Sequence, residues 1–278
     1  MDTPKIKTVY GTFVFLGIGF ILLYFPILKN MYEDWGINPN YSHGYLIPFI
    51  SGYLIYFLKD ELKKLPSISS NWGLVLIVMA CFQLIVGTIG SEYFLQRTSI
   101  IPLFLGICLF LYGKDITLKL FIPIIYLIFM IPLPGIIWNK VAFPLQLFAS
   151  FLTEQVIRIS GMPILREGNI LILSTITLEV VDACSGIRSL ATMMALSIPF
   201  AFFMSTGKIK KILLFFFSIP IAVIVNIFRL SITAWFSVLF GEQFAKGFLH
   251  EFSGMVTFII GLAMLFGSKM VLEKLHLE

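Results

Sequence analysis

Residues 208–238 read KIKKILLFFFSIPIAVIVNIFRLSITAWFSV, a lysine cluster followed by an apolar run long enough to cross a bilayer. Lys208, Lys210 and Lys211 mark one membrane face. Beyond them Arg229 is the sole charge in the run. At a helical rise of about 1.5 Å per residue it lies roughly 27 Å past Lys211, near the opposite interface. An ionisable group at such a position is costly in lipid and is a functional candidate by default.

The composition agrees with that reading. Of 278 residues 58% are hydrophobic and only 13% charged, about half the charge of a soluble domain, and mean hydropathy is +0.95. The net charge of +5 clusters between apolar runs and reports membrane orientation. It forms no basic stripe, so nucleic acid is not an expected partner. Cys81, Cys108 and Cys184 provide no disulfide framework. Cys81 and Cys108 sit in continuous apolar runs, where cysteine behaves as a small hydrophobe.

Eight spans are expected, at about 8–28, 44–58, 73–90, 99–113, 117–134, 186–205, 212–238 and 252–268. The first follows Lys5 and Lys7 but is too long for a signal peptide and lacks a cleavage site, so it reads as a retained span. Lysine-rich connections (Lys59/Lys63/Lys64, Lys114/Lys119, Lys208/Lys210/Lys211, Lys269/Lys274) alternate with less basic ones. The positive-inside rule then puts both termini in the cytoplasm, in a multi-pass protein of the cytoplasmic (inner) membrane. The fold class is an all-α polytopic membrane protein forming one domain over 1–278.

Residues 135–185 form an extracytoplasmic insert in this reading. Trp138, Val141, Leu145, Phe148, Leu152 and Val156 recur at helical spacing against Lys140, Gln146, Glu154 and Arg158, which predicts an amphipathic interfacial helix over 137–159. Ile170–Leu173 and Thr175–Val180, bounded by turn residues, predict a short outer β-hairpin ending at Asp182.

The insert leads into Val-Val-Asp-Ala-Cys-Ser-Gly-Ile-Arg-Ser-Leu, residues 180–190, centred on Cys184 at the start of the sixth span. His250 starts the eighth span, about 19 residues before Lys269. Cys184, Arg229 and His250 therefore share the outer layer. Nucleophile, charge stabiliser and proton shuttle together suffice for acyl transfer. The helix that begins after Cys184 directs its positive end at the sulfur, and Arg188 follows one turn later; both favour the thiolate. Singly, each residue also fits a bland role: Asp182 and Ser185 as helix-start caps, Arg229 snorkelling, His250 lying in the interface. Their common depth favours chemistry.

Ala183-Cys-Ser-Gly-Ile-Arg188, Asn226-x-x-Arg229, His250-x-x-x-Gly254 and the early segment Asn40-Tyr-Ser-His-Gly-Tyr-Leu-Ile-Pro48 resemble the exosortase/archaeosortase family over about residues 38–268, with no departure at the three catalytic positions. The short stretch after the eighth span leads us to expect no fused C-terminal domain. The resemblance implies a transpeptidase-like cysteine enzyme without cofactor or metal. Its partners would be secreted proteins ending in a short motif such as Pro-Glu-Pro, a transmembrane helix and a basic tail, with a link to exopolysaccharide. On that basis Cys184 would form a thioester, Arg229 stabilise the oxyanion or orient the substrate, and His250 move protons. Asn226 would orient Arg229; Asp182, Ser185 and Arg188 would support; His43, in an outer loop, would line the entrance or serve only as a turn residue beside Gly44. A cysteine protease that only hydrolyses, or a transporter or structural membrane protein binding an anion at Arg229, remain open at this point, as does the oligomeric state. No polar path crosses the bilayer and no span carries an acid at mid-depth, which counts against a proton-coupled pump. His43, His250 and His276 have no metal-ligand spacing.

A reporter fused at Lys210 should be active only in its cytoplasmic form; activity outside the cell would invert the orientation.

Overall fold

The computed structural model describes residues 3–181, 185–241 and 248–275, with side chains of 3–14 and 248–251 excepted. The backbone divides into two compact units, 1–132 and 133–278.

The first unit contains α1 (Thr3–Ile37), a 3-10 helix (Pro39–Tyr45), α2 (Ile47–Phe57), α3 (Lys59–Leu62), α4 (Trp72–Ile89), α5 (Tyr93–Thr98), α6 (Ile100–Tyr112) and α7 (Lys114–Tyr126), which tightens into a 3-10 turn over Leu127–Met130. Apolar helices in lipid gain little from the hydrophobic effect and associate through close backbone approach. Gly73 and Gly106 provide it between α4 and α6. A Cβ on Gly73 would lie 2.2 Å from the Phe110 nitrogen, and one on Gly106 would lie 2.9 Å from that of Ile77. Gly113 ends α6 at φ +83°, where a Cβ would lie 1.8 Å from the Ile68 carbonyl oxygen, so the α6–α7 corner admits only glycine.

Polar contacts pin the helix ends at two levels. At one, Arg97 pairs with Asp34 at 2.5 Å and the Trp35 indole donates to the Met130 carbonyl at 2.8 Å. At the other, Lys119 pairs with Glu61 at 2.6 Å. The end of α1, the α5–α6 junction and the end of the Leu127–Met130 turn therefore share a level, and α3 shares the other with the start of α7.

The second unit contains α8 (Gly135–Ile159), β1 (Ile164–Glu167), β2 (Ile170–Leu173), β3 (Thr177–Glu179), α9 (Ile187–Phe202), α10 (Lys208–Phe240) and α11 (Phe248–Lys274). The strands form an antiparallel sheet in the order β1-β2-β3, with Leu165 opposite Ile172 and Leu171 opposite Leu178. Leu171, Leu173, Ile176 and Val180 on its inner face pack with Ala149 and Ile157 of α8 and Leu230 and Ala234 of α10. A second core joins Met193 and Ala201 of α9, Leu214, Ile221 and Val225 of α10, and Leu265 and Leu272 of α11. Lys210 donates to the Leu275 carbonyl, and Lys211 to that of Phe202 at 3.4 Å. The start of α10 thus lies level with the ends of α9 and α11.

The membrane class holds, with its details revised. Among the described residues six helices are long and apolar enough to cross a membrane, so the count of eight is not confirmed: Phe15–Ile37, Trp72–Ile89, Tyr93–Tyr112, Gly135–Ile159, Lys208–Phe240 and Phe252–Lys274. The expected spans 44–58, 117–134 and 186–205 form helices of 11, 13 and 16 residues. Proline accounts for part of this: α7 continues through Pro123, but the chain turns extended at Ile131 before Pro132. α8 is present where an interfacial helix is expected, but part of its polar face turns into the protein. Gln146, Ser150, Thr153 and Glu154 are buried while Val141, Phe148 and Val156 are exposed, which suits an apolar surrounding. The expected hairpin gains a third strand because Gly168, at φ +65°, lets residues 164–167 fold back on β2.

Candidate active site

Arg229 and Asn226 lie one turn apart on the same face of α10, 9% and 3% exposed. Both are held between neighbouring helix starts. On one side Gly186 caps α9 at φ +87°, and a Cβ there would stand 2.9 Å from the Asn226 Cγ and Nδ2. On the other side, a Cβ on Gly254 of α11 would meet the Arg229 Nη1 at 3.8 Å. Gly186 thus leaves room for Asn226, and the Arg229 guanidinium lies at ordinary contact distance from the α11 backbone at Gly254.

The chain entering α9 is prepared for a helix start. Ser185, 1% exposed, accepts from the Ile187 N–H at 3.2 Å through its Oγ, satisfying one of the unpaired first-turn donors. Arg188 is half-buried in that first turn. The positive end of the α9 dipole therefore lies at Ser185–Ile187.

Asn226, Arg229, Ser185 and Arg188 thus belong to one region of the second unit, at the end of the α9–α10–α11 bundle opposite Lys210 and Leu275. Cys184 and Asp182 lie outside the described residues; in sequence Cys184 precedes Gly186 by two positions. His250 falls in the first turn of α11, four residues before Gly254 and hence on the same helical face; its side chain lies outside the description.

His43 belongs to the first unit. It sits in the Pro39–Tyr45 turn, its Nδ1 buried without a hydrogen-bond partner. Burial holds the imidazole pKa below its ordinary value, outweighing the opposing backbone contacts to Phe129 and Asn40. The next residue, Gly44, packs on the indole of Trp35, where a Cβ would lie 2.4 Å from Nε1. This contact gives the segment a packing role of its own.

Sequence reasoning did not find the ion cluster on the insert. The buried carboxylate of Glu154 accepts from Arg158 at 2.8 Å and from Arg166 at 3.0 Å, and Arg166 also donates to the Gly168 carbonyl at 3.0 Å. The Glu154/Arg158 spacing of four was the legible signal; the partner from β1 depended on the strand pairing. This cluster anchors β1 to α8. Among the described residues no group of three or more His, Cys, Asp or Glu is arranged to hold a metal ion.

The model of the transmembrane exosortase family matches residues 35–267. No curated protein and no solved structure matches the chain.

Gly186→Ala should destabilise the second unit by about 1–2 kcal/mol from its backbone conformation alone, with a further loss from overlap with Asn226. Asn226→Ala should recover the overlap component, so thermal unfolding of the single and double variants in detergent should be non-additive. Strict additivity would mean that the two residues do not meet.

Proposed function

Because the chain belongs to the transmembrane exosortase family, we propose that it is a cysteine transpeptidase. It cleaves C-terminal sorting signals on secreted proteins at the outer face of the cytoplasmic membrane. The observation that carries this reading is the buried guanidinium of Arg229, facing α11 one turn from His250 while Asn226 beside it abuts the glycine two residues beyond Cys184.

In this scheme the Cys184 thiolate attacks the scissile carbonyl carbon and the carbonyl π electrons move to oxygen. Arg229 stabilises that oxyanion, a charge-assisted interaction strengthened by exclusion of water. Collapse of the tetrahedral intermediate breaks the C–N bond, and His250 gives the departing nitrogen its proton, leaving a thioester. His250 then takes a proton from the acceptor, whose oxygen or nitrogen attacks the thioester and returns Cys184 as thiolate. Asn226 and Ser185 position the two helix starts; Arg188 and the α9 dipole lower the energy of the thiolate.

The substrates in this reading are secreted proteins ending in a short motif such as Pro-Glu-Pro, an apolar helix and a basic tail. Their transfer to a surface acceptor ties the enzyme to exopolysaccharide production. Water as acceptor would make the same residues a hydrolase, and the mass of the mature product's new C-terminus separates the two.

A secreted reporter ending in Pro-Glu-Pro, an apolar helix and an Arg/Lys tail should be shortened in cells that carry the enzyme. Cys184→Ala should abolish shortening while membrane insertion persists. Arg229→Ala should slow it by about 100-fold to 1,000-fold, the usual cost of losing an oxyanion donor. Shortening at the parent rate by the Cys184→Ala variant would remove the cysteine mechanism.

A further inference from the structure

The small sheet has two edges, and they differ. β1 is anchored on α8 through the pairing of Arg166 with Glu154. β3 is the other edge, and its hydrogen-bonding parity can be read from its neighbours. The Leu173 N–H donates to the Ile176 carbonyl at 2.9 Å, and the Val180 N–H to the Asn169 carbonyl at 2.8 Å. Hydrogen-bonded positions alternate along an antiparallel pair. Ile176, Leu178 and Val180 therefore turn their backbone groups to β2, and Thr177 and Glu179 turn theirs to the opposite side. The Glu179 carbonyl accepts from the Val181 N–H at 3.1 Å. That leaves the Thr177 N–H and C=O and the Glu179 N–H along the open side of β3. Thr177 and Glu179 are both exposed, while Leu178 between them packs inward on the core shared with α8 and α10.

Native proteins shield such an edge or use it. In sequence Cys184 follows Glu179 by five residues, a chain reach of at most about 18 Å. The core beneath the strand includes Leu230, the residue next to Arg229. The sheet is thereby fixed to the helix that carries the guanidinium.

We propose that the open edge of β3 binds the substrate as a fourth strand, taking the segment around the scissile bond in extended form through its backbone. The inference rests on the peptide-cleaving function proposed above and specifies how that site takes its substrate. An extended segment suits the chemistry, because a helical peptide carbonyl is engaged within its own helix whereas an extended one is open to attack. Main-chain pairing supplies affinity largely independent of side chains, so a short motif suffices for selection. The Thr177 carbonyl accepts from one substrate N–H, and the Thr177 and Glu179 N–H groups donate to substrate carbonyls.

Thr177→Pro removes the outward N–H and leaves the β2 ladder untouched, a change that edge strands tolerate. In cells producing the full-length enzyme and the Pro-Glu-Pro reporter, it should slow shortening by about tenfold, the worth of one hydrogen bond lost from an unpaired carbonyl. Thr177→Ala, which keeps the backbone donor, should lose distinctly less than Thr177→Pro. Labelling of Cys184 by an impermeant maleimide should be the same in all three. As a readout independent of the enzyme's folding, proline is moved one residue at a time through the reporter segment preceding the apolar helix. Strand pairing predicts losses that alternate with a period of two. Parent-like shortening by Thr177→Pro, or proline sensitivity without that alternation, overturns edge binding while leaving the cysteine mechanism standing. A reporter untouched by the parent enzyme overturns the function proposed above and this inference with it.

Discussion

A guanidinium cannot be buried among apolar helices unless the helices around it are shaped to receive it. That requirement at Arg229 organises the second unit. Gly186 at the start of α9 leaves room for Asn226, and Gly254 within α11 lies beside Arg229 at ordinary contact distance. The far end of the same bundle is closed by Lys210 on the Leu275 carbonyl and Lys211 on that of Phe202. Between these two polar layers the core is mainly apolar, with Met193, Ile221, Val225 and Leu265 among its buried members, and its buried Ser197 and Ser218 donate back to the Met194 and Phe215 carbonyls of their own helices. Hydrogen-bond satisfaction at the ends and close packing in the middle are what the bilayer permits.

The first unit obeys the same rule with different residues. Asp34–Arg97 and Trp35–Met130 close one level and Glu61–Lys119 the other. The glycines at 73, 106 and 113 bring its backbones together. The large exposed apolar side chains, such as Phe15, Leu22 and Phe82, point outward in a manner that suits lipid and would not suit water.

The membrane class, the α10 span and the positions of the helix starts near 187 and 250 were legible because each rests on local pattern: a lysine cluster, an apolar run, a glycine or a cap. The count of spans was not. An apolar stretch such as 117–134 looks the same in hydropathy whether it forms one long helix or, as here, ends in a 3-10 turn and extended chain before Pro132. The α8 reading found the helix and its amphipathicity but not that Gln146 and Glu154 turn into the protein, where Glu154 meets Arg166 only through the strand pairing. The strand at 164–167 was missed because its pairing depends on Gly168 adopting a positive φ. The partnership of Arg166 with Glu154 follows from that same turn. Of the candidate site, the mutual placement of Asn226, Arg229, Gly186 and Gly254 follows from spacing along three antiparallel helices.

The account stands on an activated thiolate at Cys184 beside Arg229 and His250. The most direct test is the rate of Cys184 alkylation by a membrane-impermeant reagent in intact cells across a pH series, for the parent, Arg229→Ala and His250→Ala. The account predicts rapid labelling with an apparent pKa well below the reference value of about 8.5, changed by either substitution. Slow labelling with an ordinary pKa, indifferent to both substitutions, would make Cys184 a structural residue and contradict the mechanism.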